Sequence, residues 1–195
     1  MIKIGLTGGI GCGKSEVSKI FHSLGAEVYQ ADQRSKSLLE ENSELKLQLE
    51  RNFGHKLFQE GKLNRSLFAS LIFSDQKQLA LANSIIHPFV FSDFREWAVN
   101  MAAKKVLVME AAILFESKAD KLTDKTIVVS SPRELRIERV MKRDSVSRED
   151  VLAREKFQMP EEEKLKLADY IIYNDEKQLL IPQVLQILKS LESIN

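Results

Sequence analysis

The chain has 195 residues, 44% hydrophobic and 29% charged, the composition of one compact globular domain; a disordered or fibrous polypeptide is excluded. Its 29 basic and 28 acidic residues leave a formal charge of +1, too balanced for a dedicated duplex-DNA binder, so no nucleic-acid partner is expected. The single cysteine, Cys12, excludes an internal disulfide and a multi-cysteine zinc site and suits a reducing compartment. No uncharged apolar run approaches the ~18 residues of a membrane span, and the first residues lead into glycines rather than a secretory apolar core. A cytoplasmic protein with no membrane partner is expected, a monomer rather than an oligomer.

Residues 2–7 form a short apolar run, read as a buried strand, with glycines behind it. Val17, Ile20, Phe21 and Leu24 then recur at i, i+3, i+4 and i+7, one face of a helix beginning near Gly13. Gly25 is placed to end it. Residues 26–30 predict a second strand, running into Ala31-Asp32. Residues 37–104 carry no good strand signal and predict helices over 42–53, 64–73 and 75–103. The last is interrupted at His87-Pro88, because proline disfavours helix in the residue before it. The third strand is predicted at 105–109, ending in Glu110, and the fourth at 126–129. Ser131-Pro132-x-Glu134 predicts a helix start with proline at the first position and a capping-box glutamate. A second helical excursion fills 132–168, then come a fifth strand at 170–173 and a helix at 176–191. Buried strands alternating with helices predict an α/β fold, a parallel sheet covered on both faces. The whole chain reads as a single domain, with a helical subdomain at about 37–104 and a lid at about 132–168.

Between the first strand and first helix stands Gly8-Gly9-Ile10-Gly11-Cys12-Gly13-Lys14-Ser15, which fits G-x-x-x-x-G-K-[ST]. Glycines let the backbone wrap close to phosphates and aim amides at them, and the following helix adds partial positive charge. Lys14 would bridge the terminal phosphates and Ser15 would hold Mg²⁺. Cys12, in the same loop, leaves two readings open. The helix terminus and Lys14 favour a reactive thiolate; a side chain turned beneath the loop would be an inert stand-in for serine.

Asp32 follows the second strand, on the rim that strand ends share in an open parallel sheet. A carboxylate there can orient a hydroxyl and take its proton; it can equally cap a helix over 33–40. Glu110, ending the third strand, is the candidate acidic Mg²⁺ partner of Ser15, with a cap as its plainer role. Arg136, Arg139 and Arg143 share a helix face, and Arg154 follows in the next helix. Residues 133–156 hold eight basic and six acidic residues, so either a solvated, ion-paired face or a mobile phosphate-covering lid accounts for them. His87 has no ligand-type neighbour, and packing or hydrogen bonding at the helix break suits it better than metal. Leu67, Phe68, Leu71, Ile72, Phe73, Ile85, Ile86, Phe89, Phe94 and Trp97 read mostly as core of the helical insertion.

The opening Gly5-Leu6-Thr7-Gly8-Gly9-Ile10-Gly11-Cys12-Gly13-Lys14-Ser15 resembles that of the dephospho-CoA kinases, which catalyse the last step of coenzyme A synthesis. The likeness runs almost end to end. It continues through Ala31-Asp32, Gly61-Lys62-Leu63-Asn64-Arg65 with Phe73, His87-Pro88, and Ile113-Leu114-Phe115-Glu116. It closes with Arg139-x-x-x-Arg143-Asp144, Gln158 and Ala168-Asp169-Tyr170-Ile171-Ile172-x-Asn174. Three positions depart from the family pattern: Glu16 replaces a threonine, Ala111-Ala112 stand where a proline is usual, and Cys12 replaces a serine. An acid at position 16 is unfavourable near phosphates unless it points away or toward the metal.

The resemblance implies a P-loop kinase three-layer fold, a five-stranded parallel sheet of order 2-3-1-4-5, with a helical substrate-binding insertion and a helical lid. It implies that Gly11, Cys12, Gly13, Lys14, Ser15 and Glu16 bind ATP with Mg²⁺ and that Asp32 is the catalytic base. Arg139 and Arg143 would lie in the lid near the phosphates or adenine, and Asn174 near the adenine. Arg65 and His87, in the insertion, would meet 3′-dephospho-CoA. The implied reaction moves the γ-phosphate of ATP to the ribose 3′-hydroxyl, giving CoA and ADP. A kinase for another small acceptor, a nucleoside monophosphate or shikimate, shares the loop and lid. A GTP-dependent switch would want an N-K-x-D guanine motif, and the sequence has none.

Overall fold

A computed structural model describes residues 1–192, apart from the side chains of Phe73 and Ser74. The place of Phe73 in the predicted core therefore lies outside the described residues. In chain order the elements are β1 (Ile2–Thr7), α1 (Lys14–Ser23), β2 (Glu27–Gln30), α2 (Ala31–Glu41) and α3 (Ser43–Phe53). Next come β3 (Phe58–Gln59), β4 (Lys62–Leu63), α4 (Arg65–Ser74), α5 (Gln76–Asn100), β5 (Val106–Glu110) and β6 (Lys125–Ser130). The chain continues through α6 (Arg133–Asp144), α7 (Arg148–Glu155), α8 (Glu161–Leu167), β7 (Tyr170–Tyr173) and α9 (Leu180–Glu192). It forms two compact units, Ala31–Asn100 being one and the flanking chain the other. No helix among the described residues is long and apolar enough to cross a membrane.

The flanking chain builds one five-stranded sheet, all parallel, in the order β2-β5-β1-β6-β7. This is the expected order, with β5, β6 and β7 as the third, fourth and fifth strands. Alternation along the strands sends Ile4, Leu6, Val108, Ile127, Val129 and Ile172 to one face. There they pack on Val17 and Phe21 of α1 and on Val184, Ile187 and Leu191 of α9. Burying each such side chain is worth about 1.5–3 kcal/mol, which makes this face the anchor of the sheet. Leu24, expected on the same helix face, sits at the C-cap of α1 and is exposed. The register sets the carboxyl ends of three strands in one row, since Glu110 pairs with both Leu6 and Gln30.

The other unit corrects two expectations. Its long helix runs unbroken through Pro88. A missing N–H and a ring clash cost about 3 kcal/mol in a helix interior. Against that stands a face of Ala82, Ile86, Val90, Phe94 and Ala98, buried at every fourth residue where α2, α3 and α4 pack on α5. Tertiary burial overrides the local preference. The region is also not wholly helical, because β3 and β4 form an antiparallel hairpin. Its two turn residues, Glu60 (φ 50°) and Gly61 (φ 77°), both take the left-handed region, as a two-residue type I′ turn requires. Asn42 and Asn64 cap α3 and α4, accepting from the amides of Leu45 and Leu67 at 2.9 and 3.1 Å. Of the predicted core residues, Phe68, Ile86 and Phe94 are buried, while Leu67, Leu71, Ile72, Ile85, Phe89 and Trp97 are half-buried.

A third correction concerns the start of α6. Pro132 is its N-cap, Ser131 makes no capping bond, and Glu134 reaches Arg148 instead, at 2.7 Å. The capping box lies one helix later, where Ser147 and Asp150 exchange bonds at the head of α7.

At the start of β7, Asp169 accepts hydrogen bonds from the Thr126 amide (2.8 Å) and hydroxyl (2.9 Å) and pairs with Lys125 (3.1 Å). Partial burial works to raise this carboxyl, but the Thr126 bonds and the Lys125 ammonium outweigh it and hold the group below the usual aspartate range. A depressed folded-state value stabilises the fold above the unfolded-state pKa and ceases to do so as pH falls through the folded-state one. Asp169→Asn should therefore lower stability by roughly 1–2 kcal/mol at pH 7. The deficit should shrink below about pH 4, as thermal melts of both proteins across pH will show.

Candidate active site

The glycine loop connects β1 to α1, and its shape depends on two glycines in the left-handed region, Gly11 (φ 80°) and Gly13 (φ 88°). Space imposes the same residue. A Cβ on Gly11 would strike the Arg136 backbone carbonyl, and one on Gly13 the Asn174 side-chain amide. Gly13 caps α1 through its carbonyl, which accepts from the amides of Glu16 (3.0 Å) and Val17 (3.2 Å). The first turn of α1 thus opens at the loop, where its amides and dipole suit a bound anion.

Lys14 folds back on the loop, its Nζ donating to the Gly8 carbonyl at 3.0 Å. The Ser15 hydroxyl donates to Glu110 Oε1 at 2.9 Å, and Ser18 donates to Oε2 at 2.9 Å. Two serines one helical turn apart thereby hold both carboxylate oxygens of the buried residue that ends β5. The sequence offered Glu110 as the acidic Mg²⁺ partner of Ser15; the structure sets the two side chains in direct hydrogen-bond contact. Ser18 was not singled out, although its i+3 spacing from Ser15 was the available signal. A hydroxyl beside one carboxylate fits Mg²⁺, which takes few protein oxygens and keeps water and phosphate ligands. Among the described residues no group of three or more His, Cys, Asp or Glu is placed to hold a metal ion. Glu16 is exposed in the first turn of α1, where an acid complements the helix dipole.

Asn174, just past β7, is buried, and its amide donates to the Cys12 carbonyl at 2.9 Å. Its side chain braces the glycine loop, a task that no residue spacing announces. Arg139 joins this corner, donating to the Asn174 carbonyl and the Ser131 hydroxyl, each at 3.2 Å, and pairing with Glu176 at 3.1 Å. Arg143 does not, pairing with Asp144 at 2.7 Å at the far end of α6; Arg154 meets the same aspartate. Arg136, only 5% exposed, pairs with Glu155 (3.2 Å) and Glu161 (3.0 Å). Arg136 and Arg139 meet at Ser131, whose carbonyl accepts from Arg136 (3.1 Å) and whose hydroxyl accepts from Arg139, while Arg143 of the same stripe shares no partner with them.

The remaining candidates belong to the Ala31–Asn100 unit. Asp32 is exposed in the first turn of α2, the second residue of that helix and the second beyond β2. Arg65 is exposed at the start of α4 and pairs with Glu40 at 2.7 Å. His87 stacks on Phe91 with ring centroids 5.9 Å apart, and burial pushes its imidazole below the usual histidine range.

For Cys12 the structure decides between the two readings. The side chain is fully buried, and burial pushes the thiol up despite the opposing pull of Lys14. Cys12 is the inert stand-in. Maleimide labelling of the native chain, followed by mass spectrometry, should be slow at pH 7.5 and differ by less than about twofold with and without Mg-ATP. Labelling should be complete only in denaturant, whereas fast labelling that Mg-ATP suppresses would restore the reactive thiolate.

Known proteins resemble this chain in sequence and in fold. The family model described as dephospho-CoA kinase matches residues 2–179. A Bacteroides fragilis protein named dephospho-CoA kinase is 39% identical over 187 residues, spanning 96% of this chain and 91% of its own. One of the same name from Aquifex aeolicus is 38% identical over 175 residues, 89% of each chain. Among solved structures, the dephospho-CoA kinase from Campylobacter jejuni aligns with a TM-score of 0.68 at 30% identity, covering 97% of this chain and 96% of that one. A shikimate kinase from Acinetobacter baumannii, 16% identical with a TM-score of 0.57, shares the fold alone. By sequence over nearly its full length, the chain belongs to the dephospho-CoA kinase family and is a kinase.

Proposed function

We propose that this kinase transfers the γ-phosphoryl group of ATP to the ribose 3′-hydroxyl of 3′-dephospho-CoA, giving CoA and ADP, with the following division of labour. The observation that carries it is the Ser15–Glu110 hydrogen bond at the head of α1, beneath a loop that only glycine backbone can form. The loop from Gly11 to Glu16 cradles the phosphates with its amides. Lys14, held now by one hydrogen bond to Gly8, swings its ammonium onto the transferring group. Ser15 would hold Mg²⁺ with Glu110 behind it, and the ion would neutralise charge on the β- and γ-oxygens.

Asp32 orients the 3′-hydroxyl and takes its proton as the new O–P bond forms and the bond to ADP breaks. Its place two residues beyond β2 supports this role, because β2 ends in register with Glu110. Arg139, already fixed to the Asn174 carbonyl, stabilises charge from the lid side, and Arg143 joins it only if its pairing with Asp144 opens. Asn174 borders the adenine, while Arg65 and His87 contribute to the acceptor side. The enzyme works as a cytoplasmic monomer, a compartment that a sequence with one cysteine and no internal disulfide suits.

The test is ADP release measured over a panel of acceptors. ADP should form with 3′-dephospho-CoA and not with shikimate or nucleoside monophosphates, and the product should carry a 3′-phosphate. Asp32→Asn should keep Mg-ATP affinity and lose roughly 10²–10⁴ in turnover, the range for a positioned acid–base group. A loss below about tenfold would remove Asp32 from the chemistry.

A further inference from the structure

Gln158 carries no role in the site described so far. Its side-chain carbonyl accepts the Ile10 amide at 2.9 Å, a bond between residues 148 apart in the chain. Ile10 lies inside the glycine loop, where neither helix nor sheet supplies an acceptor for its N–H. The residue after Gln158 is tied down as well, since the Met159 amide donates to Glu116 Oε1 at 2.7 Å. That same oxygen meets Lys164 Nζ at 3.0 Å, and Nζ also donates to the Ala112 carbonyl at 2.9 Å.

Lys164 is fully buried and Glu116 half-buried, so the pair is better sheltered from water and salt than a surface pair. A second anchor lies on the other side of Gln158. Arg136 grips Glu155 and Glu161, and its guanidinium lies so close to Gly9 that a Cβ there would collide with it. The corner of the phosphate loop at Gly9 and Ile10 is therefore clamped from two directions, by Gln158 of the segment between α7 and α8 and by Arg136 of α6, which Glu155 and Glu161 hold in place.

We propose that Gln158 is a positioning residue for nucleotide binding, holding the loop through the Ile10 amide while the Glu116–Lys164 pair holds Gln158's own segment through Met159. A glycine-rich loop has more conformational freedom to lose on binding than any other backbone, so a clamp that orders it beforehand strengthens phosphate binding without entering the transfer step. The inference rests on the proposed reaction insofar as the loop's ligand is ATP.

Two isosteric variants test it. Gln158→Met removes the acceptor, whereas Gln158→Glu keeps a carbonyl-type oxygen at the same reach. Gln158 lines an open cleft of about 950 Å³, so neither change overfills a packed core, and thermal melts confirm folding. Amide hydrogen exchange at Ile10, read by NMR on the nucleotide-free protein, should accelerate in Gln158→Met and stay near wild type in Gln158→Glu. In Gln158→Met, Mg-ATP affinity should weaken and KM for ATP should rise, each roughly three- to tenfold, the worth of one net hydrogen bond. Its kcat and KM for 3′-dephospho-CoA should stay within about twofold. Unchanged Ile10 exchange, unchanged ATP affinity, or a loss confined to kcat would overturn the proposal. Should the wild-type enzyme fail to phosphorylate 3′-dephospho-CoA, the reaction is wrong, and Ile10 exchange with Mg-ATP titration still decides the role of Gln158.

Discussion

Everything at the candidate site depends on a stretch of bare backbone coming closer to its neighbours than any side chain allows. Gly11 lies against the Arg136 carbonyl and Gly13 against the Asn174 amide, both with positive φ. These contacts fix the loop to α6 and to the end of β7, so the first turn of α1 opens at the loop's end. The sheet then sets the acidic partner. Because β1 and β5 are adjacent and in register, Glu110 ends level with Leu6 and within reach of Ser15 and Ser18. A phosphate cradle and its carboxylate thus follow from strand order and glycine placement together.

Electrostatics in the second helical excursion are arranged by burial rather than by count. Its charges nearly cancel along the sequence, yet Arg136 and Lys164 are inside while Arg133, Arg143, Arg148 and Arg154 are largely outside. The exposed pairs are worth a few tenths of a kcal/mol each. Breaking a buried pair would cost several, because it strands a charge in low dielectric. Lys164 shows the tension: burial drives its ammonium below the usual lysine range and the Glu116 carboxylate opposes the shift. Residues near Arg136 and Lys164 are therefore the most firmly held part of the excursion, and α7 is joined to them through Glu155 and through Val151, buried against Ile137 and Val140.

The sheet was legible in the sequence because each strand is a short apolar run bounded by glycine, charge or proline, and the fifth was located to the residue. The loop was legible because its glycines, Lys14 and Ser15 are spaced by the chemistry they serve. The β3–β4 hairpin was not: two residues per strand are too few for a period, and only the Gly61 turn hinted at it. Pro88 misled because local preference says nothing of the face that α5 buries. Nor does residue type separate an arginine that is 5% exposed from one on the surface, so the burial of Arg136 was not legible, and neither the solvated face nor the mobile lid describes it. Asn174 and Gln158 brace the loop across more than 140 residues of chain, a distance over which spacing carries no information.

The account stands on the loop's backbone contacts, and Gly11→Ala tests them most directly, because its obstacle is the Arg136 backbone carbonyl rather than a movable side chain. The quantity to measure is Mg-ATP affinity by titration calorimetry, with circular dichroism confirming that the sheet is intact. Strain of about 1–3 kcal/mol at such a position predicts a loss of roughly five- to 150-fold in affinity, together with a lower melting temperature. Wild-type affinity and stability in Gly11→Ala would contradict the account.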